Sequence, residues 1–160
     1  MRAAHPNVEI ESCAAGGGRI DFEVLKRTHR FWTSDNNDAL ERQHIQRGMS
    51  YFFPPEVMGS HIGAAHCHST RRRHSIAFRG LTALFGHMGI ELDPVKESKE
   101  EKQGFERYIA LHKSLRPLLH SGKTWRVPTD DAAHQILAVV AEDKSEAVVQ
   151  IAQLAMPTNA

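Results

Sequence analysis

Short apolar runs and helical patterns alternate along the first part of the chain. In residues 8–12, VEIES, apolar and polar positions alternate, which predicts a strand that ends at a glycine-rich loop. Asp21 stands where a carboxylate caps a helix, and residues 22–30 continue with apolar side chains at helical spacing. Residues 31–34, FWTS, then predict a second strand.

The same unit recurs directly afterwards. Asp38 and Glu41 have the three-residue spacing of a capping box at the start of a helix over residues 39–48. Gly48 predicts the end of that helix. The apolar run MSYFF, residues 49–53, predicts a third strand in front of two prolines.

The middle of the chain adds a helix, a strand and a long helix. Residues 75–87 have a helical pattern, residues 88–92, MGIEL, predict a short buried strand, and Asp93-Pro94 breaks the chain. Ser98 begins a second capping box, and one apolar face then continues until Pro117. This is the most strongly periodic segment of the chain.

The pattern changes near the carboxyl terminus. Residues 134–142 and 146–155 are two apolar runs joined around Asp143-Lys144, which is typical of an antiparallel hairpin. The sequence therefore predicts two domains. Residues 1–122 contain the alternating strands and helices, and residues 123–160 begin a β-rich domain.

The predicted fold class is α/β. Alternating strands and helices imply a parallel sheet with crossover helices, and in a (β/α)8 barrel the active site lies at the carboxyl ends of the strands. Cys13, Gly16, Asp35 and His61 all follow predicted strands or lie near their ends. About four strand-helix units are visible, whereas a barrel needs eight and typically about 250 residues. We therefore expect about half of such a barrel, in a chain that is cut at both ends.

Composition and charge exclude several classes of function. The 160 residues are 41% hydrophobic, which is typical of a packed domain, and the net charge of +1 gives no reason to expect a nucleic-acid partner. No apolar stretch reaches the roughly 18 residues of a membrane span, and no signal peptide is recognisable. The sequence predicts a cytoplasmic protein without a membrane partner. Cys13 and Cys67 fit neither a disulfide framework nor a paired zinc motif.

Two clusters of residues each allow more than one functional interpretation. The Gly16-Gly17-Gly18 loop could cradle an anion, but it lacks the spacing of a phosphate or dinucleotide motif. Close backbone approach to a ligand such as a sugar ring is the favoured alternative. A histidine-rich segment around Cys67 suggests metal binding, but it lacks a second ligand pair at suitable spacing, so no metal site is predicted. Its members are His61, His66, His68 and His74.

Local sequence alone does not assign a role to Asp35. The capping box accounts for Asp38. For Asp35, the local sequence favours a second capping or loop carboxylate. Trp32 fits a core aromatic residue as well as a platform for a sugar ring, and Cys13 alone fits a buried small residue. Residue-level reasoning ends at half of an α/β barrel with polar strand ends.

The segment SCAAGGGRIDFEVLKRTHRFWTSDNND, residues 12–38, is informative as a whole. It resembles the region of glycoside hydrolase family 36, the bacterial-type α-galactosidases, in which C-x-x-G-G-G-R-x-D is followed by W-x-S-D-x-x-D. The similarity continues through nearly the whole chain up to the terminal hairpin. The residues in register with the two motifs are Cys13, Gly16, Gly17, Gly18, Arg19, Asp21, Trp32, Ser34, Asp35 and Asp38.

The resemblance implies retaining hydrolysis of terminal α-galactosyl residues in oligosaccharides such as melibiose and raffinose, without a cofactor. It implies that Asp35 is the acid/base and that Cys13, Gly16 and Trp32 contact the substrate. It also implies that residues 1–122 are the C-terminal half of the (β/α)8 barrel and that the domain beginning at residue 123 is a β-sandwich. For the full-length protein it implies a homo-oligomer, commonly a tetramer. The supporting residues would be Gly17, Gly18, Arg19, Asp21 and Asp38.

The sequence also departs from the family pattern. The family's nucleophile is an aspartate in a W-D-x-N motif, which is absent from these 160 residues, so we expect an α-galactosidase fragment that is inactive alone. Ala15 and Arg71 stand where relatives have glycine. Two alternatives remain open. One is a transglycosidase similar to raffinose synthase, and the other is a non-catalytic module that binds sugar or metal.

Overall fold

Four short strands pair in parallel, in the order in which they occur along the chain. The structure, a computed structural model, describes residues 3–156. The parallel sheet contains β1 (Glu11–Ser12), β2 (Arg30–Trp32), β3 (Met58–Gly63) and β4 (His87–Glu91). A separate antiparallel sheet contains β5 (Lys123–Val127), β6 (His134–Val140) and β7 (Ala147–Gln153). The predicted α/β class is confirmed.

Helices connect the parallel strands and the two sheets. Short 3-10 helices cover Pro55–Val57 and Pro94–Lys96. Among residues 3–156, no helix combines the length and the apolar character that crossing a bilayer requires. The α-helices are α1 (Phe22–Leu25), α2 (Ala39–Met49) and α3 (Ile76–Ala83) between the parallel strands, and α4 (Lys99–Leu119) between the sheets.

Three helix starts lie where the sequence predicts them. The Asp21 carboxylate accepts a hydrogen bond from the Val24 N–H at 2.7 Å, and Asp38 and Ser98 cap α2 and α4 in the same way. The reciprocal half of the capping box is not formed at Asp38. Its N–H donates to Asn36 Oδ1 at 3.1 Å, while the Glu41 carboxylate accepts from Arg72 at 2.6 Å. A partner distant in sequence therefore replaces the local one.

The first helix is shorter than predicted. It ends at Leu25, because the segment that follows turns back to pair with the chain before β1. The His29 N–H donates to the Ile10 carbonyl at 2.8 Å, and the Ile10 N–H donates to His29 Nδ1 at 2.9 Å. These two bonds fix His29 in a position that a helix over residues 22–30 would not allow.

The predicted third strand is wrong. Residues 49–53 continue from the end of α2 through turns, since the Phe53 N–H donates to the Met49 carbonyl at 2.9 Å. Gly48 lies inside α2 and does not end it. The strand forms later, as β3, whose sequence MGSHIG has glycine or serine at three of its six positions and only Met58 and Ile62 as apolar side chains. A Cβ atom at Gly59 would lie 2.8 Å from Glu11 Oε2, so Gly59 leaves room for the Glu11 side chain.

Two further boundaries differ at the carboxyl side. Helix α4 continues through Pro117 and ends at Leu119. Strand β5 is not apparent in the sequence, although Lys123–Val127 pairs along its length with β6. The predicted hairpin is confirmed as β6 and β7, joined through Lys144, which has a φ angle of 61°.

Apolar side chains between the helices and both sheets form the core. A first cluster links β2 and β3 to the end of α2 through Phe31, Phe53 and Met58. A second packs Ile62 against α3 and α4. A third joins the end of α4 to β6, so one face of the antiparallel sheet packs on the helical layer. Its buried members are Leu84, Phe85, Leu118, Leu119, Leu137 and Val139.

The opposite face of the parallel sheet is polar. Successive strand side chains point to opposite faces, so the neighbours of Phe31, Met58 and Ile62 in sequence point away from the helices. Their contacts agree with this. Arg30 Nε donates to Glu11 Oε2 at 3.0 Å, and the Trp32 ring stacks on His61 at 4.3 Å. We call this the polar face; it carries Glu11, Arg30, Trp32, His61, His87 and Glu91.

Candidate active site

The loops that follow β1 and β2 meet at the carboxyl edge of the parallel sheet. Gly16 is buried with a φ angle of 67°, and a Cβ atom there would lie 2.7 Å from the Asp35 backbone nitrogen. At Gly17 a Cβ atom would lie 2.4 Å from the Thr33 carbonyl oxygen. Glycine is needed here because the loop approaches the backbone of Thr33–Asp35 closely. The structure therefore brings the predicted glycine loop and the predicted acid together.

The other residues of the first motif surround this contact. Cys13 is exposed at the end of β1, and Arg19 is exposed beyond the turn. The Gly18 N–H donates to the Ala14 carbonyl at 3.1 Å and closes the turn. Asp21 lies further on as the cap of α1. Ala15 has a φ angle of 49° and fits the same left-handed turn as Gly16.

Asp35 presents a free carboxylate. Its side chain is exposed, and within residues 3–156 it accepts no hydrogen bond. The backbone beside it is fixed instead. Ser34 Oγ accepts from the Asn36 N–H at 3.1 Å, and Gly16 abuts the Asp35 N–H side of the loop. A fixed backbone with an unengaged carboxylate is suited to contact a ligand.

Asp38, three residues later, has the opposite environment. Its side chain is 0% exposed, and its Oδ1 accepts from the N–H groups of Leu40 at 2.9 Å and Glu41 at 3.2 Å. The Thr70 hydroxyl donates to its Oδ2. Burial raises the pKa of Asp38, but these hydrogen bonds outweigh burial and hold the pKa below its ordinary value. Asp38 is thus a structural anion.

Asp38 also anchors the loop after β3. Arg72 Nη1 lies 3.4 Å and His74 Nε2 lies 3.3 Å from Asp38 Oδ1. The histidine-rich segment is therefore held at the start of α2. His66 and His68 are exposed, while His61 lies on the polar face. Within the described residues, no three histidine, cysteine or acidic side chains lie close enough together to hold a metal ion.

Trp32 is covered by two other side chains. It is 7% exposed, its ring stacks on His61, and the Arg42 guanidinium carbon lies 3.9 Å from its ring centroid. His61 Nδ1 lies 3.1 Å from Glu91 Oε2, and Asn37 Nδ2 donates to the same oxygen at 3.1 Å. These contacts join the ends of β2, β3 and β4 into one network.

Arg42 is one of the residues of this network that sequence reasoning missed, together with Asn37 and Glu91. It is 2% exposed, and its Nη1 donates to the Thr33 hydroxyl. Burial lowers the pKa of Arg42 to about 10, against the opposing effect of the Glu91, Asp35 and Glu11 carboxylates. The only signal in the sequence is an arginine one turn into α2, on the face that the helix buries. That signal does not identify its partners.

The arrangement of Gly16 and Gly17 makes a testable prediction. Gly17→Ala is expected to destabilise the chain by about 1–3 kcal/mol, because the new methyl group would press on the backbone oxygen of Thr33. Gly48→Ala is the matched control. It has open space around it inside α2, so alanine is expected to stabilise by about 0.5–1 kcal/mol. Urea unfolding followed by circular dichroism measures both; a neutral Gly17→Ala would contradict the close approach.

Comparison with known proteins identifies the family. The family described as Melibiase matches residues 1–122. An α-galactosidase of Escherichia coli is 66% identical over 157 residues, which are 98% of this chain and 22% of that protein. The bifunctional α-galactosidase/sucrose kinase AgaSK of Mediterraneibacter gnavus is 38% identical over 97% of this chain and 17% of its own length.

Solved structures agree with the sequence relatives. The galactosidase domain of AgaSK superposes with a TM-score of 0.93 at 36% identity, over 99% of this chain and 22% of that one. A variant of the family 36 α-galactosidase AgaA from Geobacillus stearothermophilus, in complex with raffinose, superposes with a TM-score of 0.89 at 35% identity, over 94% and 21%. The chain spans about a fifth of the length of these relatives. It belongs to the Melibiase family of glycoside hydrolase family 36.

Proposed function

We propose that the chain supplies the acid/base side of a retaining α-galactosidase active site, with Asp35 as the acid/base. One observation carries the proposal: the Asp35 carboxylate is exposed and unengaged, on a backbone fixed by Gly16 at the carboxyl edge of a parallel sheet. Asp38, the other acid of the segment, has its oxygens occupied by hydrogen bonds. This leaves Asp35 as the acid that can exchange a proton with a substrate.

We further propose that the parallel sheet is the second half of a (β/α)8 barrel. Four parallel strands in sequential order, with helices packed on one face and polar side chains on the other, fit part of such a barrel. Residues 1–122 would form this half, and residues 123–160 would begin a β-sandwich. The polar face would then line the barrel interior beneath the active site.

In the proposed reaction Asp35 protonates the oxygen that leaves the galactose and then, as a base, takes a proton from water. A retaining enzyme needs a carboxylate nucleophile about 5–5.5 Å from the acid/base. The W-D-x-N motif is absent from the 160 residues, so the nucleophile would come from another part of the whole protein. Cys13 and Gly16 would contact the substrate. The Trp32 ring, 7% exposed between His61 and Arg42, would contact it only after one of these side chains moved.

The substrate class and the setting are proposals as well. AgaA structures in complex with raffinose and with stachyose support terminal α-galactosides as substrates of this chain's parent protein. We propose that the parent acts in carbohydrate metabolism in the cytoplasm, as a homo-oligomer. The turn formed by Gly17, Gly18 and Arg19, with the caps Asp21 and Asp38, would hold the site in shape.

A hybrid enzyme tests the proposal. The 157 matched residues of the Escherichia coli α-galactosidase would be replaced by this chain, which is 66% identical to them. We expect the hybrid to hydrolyse raffinose and the Asp35→Ala hybrid to lose about 100- to 10,000-fold in rate. Asp143→Ala, which removes an exposed carboxylate in the turn between β6 and β7, is the matched control and should retain activity. A folded Asp35→Ala hybrid with undiminished activity would show that the acid is assigned to the wrong residue.

A further inference from the structure

Arg42 is a buried cation with unused hydrogen-bond donors. Its Nη1 donates to the Thr33 hydroxyl, but its Nε and Nη2 have no acceptor within the described residues. A buried guanidinium without full pairing costs stability, and replacing such a group by an apolar residue is often neutral or stabilising. The stability of the fold alone therefore does not explain an arginine at this position.

The position of Arg42 points to a role at the strand end. Its guanidinium covers the Trp32 ring at 3.9 Å and bonds to Thr33, the two residues that precede the Ser34-Asp35 turn. The same backbone is held from the other side by Gly16 and Gly17. Arg42 and the glycine loop thus clamp the short segment that presents the Asp35 carboxylate.

Charge supports the same role. Three carboxylates, those of Glu91, Asp35 and Glu11, act on the Arg42 charge, and Glu91 is in turn bonded to His61 and Asn37. A fixed positive charge limits the repulsion among acids at this edge of the sheet. The nucleophile would add another carboxylate to this edge, and a bound substrate would exclude water from it. Both changes would strengthen the repulsion among the acids and therefore the stabilising effect of a fixed positive charge.

We propose that Arg42 is a positioning residue for the Asp35 acid/base: it fixes Trp32 and Thr33, and through them the direction of the Asp35 carboxylate toward the leaving oxygen. This inference rests on the proposed function. It assigns Arg42 no contact with substrate. Its consequence is specific, since loss of Arg42 should impair proton transfer to the leaving group more than it impairs binding or folding.

Two substrates separate this role from a structural one. Raffinose needs a proton on its leaving oxygen, whereas 2,4-dinitrophenol leaves a galactoside without one, so only raffinose depends on a well-placed acid. In the hybrid enzyme, Arg42→Met is expected to lower kcat/KM on raffinose by about 100-fold, the usual order for a misplaced catalytic group. On dinitrophenyl α-galactoside, kcat/KM should fall far less. The unfolding midpoint should stay the same or rise.

Matched variants make the test decisive. Arg47→Met removes another arginine of α2, whose Nη1 donates to the Ile136 carbonyl, and should leave the ratio of the two kcat/KM values unchanged. A parallel loss on both substrates in Arg42→Met, with a lower unfolding midpoint, would make Arg42 purely structural and overturn the inference. If Asp35→Ala fails to separate the two substrates, the proposed function itself is wrong. If only Arg42→Met fails to separate them, the inference alone is wrong.

Discussion

Asp38→Ala is expected to destabilise the chain by about 3–5 kcal/mol, the range for breaking a buried charged network by removing one partner. The carboxylate is fully buried and accepts from two N–H groups of α2 and from the Thr70 hydroxyl. Alanine would leave these donors, and His74 at 3.3 Å, without their acceptor. The loss would release both the start of α2 and the loop after β3. Urea unfolding followed by tryptophan fluorescence measures it.

The matched control is Asp21→Ala. Asp21 also caps a helix, but it is exposed and accepts only one N–H, so its loss should cost about 0.5–1 kcal/mol. A similar small cost for Asp38→Ala would show that the buried network contributes little. The comparison isolates burial and the long-range partners, because the capping role is the same at both positions.

The buried Asp38 carboxylate should also affect how the free energy of unfolding depends on pH. The pKa of Asp38 is lower in the folded chain than its ordinary value near 3.8, so the unfolded chain binds the proton more readily. The contribution of Asp38 is therefore complete above about pH 4 and is lost as the pH falls through the folded-state pKa. Asp38→Asn, which keeps a capping oxygen, should lack this part of the acid destabilisation. If the free energy of unfolding falls equally steeply below pH 4 in the unchanged chain and in Asp38→Asn, this contribution of Asp38 is contradicted.

The two acids of the DNND segment show what local sequence can predict. The cap at Asp38 follows from the spacing of neighbouring residues, and the structure confirms it, because capping involves only N–H groups within three residues. The missing reciprocal bond from Glu41 could not be predicted. Its competitor, Arg72, lies 31 residues away in sequence, so no local pattern contains it.

The strands show a similar limit. Strand β4 and the hairpin of β6 and β7 carry apolar runs, and the sequence predicts them. Strand β3 has glycine or serine at three of its six positions, and Gly59 and Gly63 lie against the side chains of Glu11 and Asn37. Such a strand is defined by what packs on it rather than by its own apolar pattern. The aromatic run at residues 49–53 has the stronger strand pattern, so the sequence predicts the third strand there, which is wrong.

The candidate site likewise has features that the sequence predicts and features that it does not predict. The adjacency of Gly16 and Asp35 follows from topology alone, since the carboxyl ends of neighbouring parallel strands share one edge of the sheet. Arg42 and the His61–Glu91 pair are buried partners brought together by the fold, and neither belongs to a short motif. The family resemblance predicts which groups would meet a substrate, but the sequence does not predict the groups that hold them in place.

Asp35→Ala should also change the course of the reaction in the hybrid enzyme. Dinitrophenyl α-galactoside would still react, because its leaving group needs no proton, and the galactose would become bonded to the nucleophile. Without a base, water would attack this intermediate slowly, so it would accumulate after a burst of dinitrophenol. Azide is an anion and needs no base. It should form a bond to the anomeric carbon, displace the nucleophile's carboxylate and restore turnover.

The configuration of the product decides the assignment. Two displacements at the same carbon retain the starting configuration, so the product should be α-galactosyl azide, identified by nuclear magnetic resonance. The Asp143→Ala hybrid, which lacks an exposed carboxylate in the turn between β6 and β7, should give galactose and no azide product at the same azide concentration. Formation of the β-azide would mean direct attack on the substrate without an enzyme intermediate. The free carboxylate of Asp35 would then not be the group that activates water in a retaining mechanism.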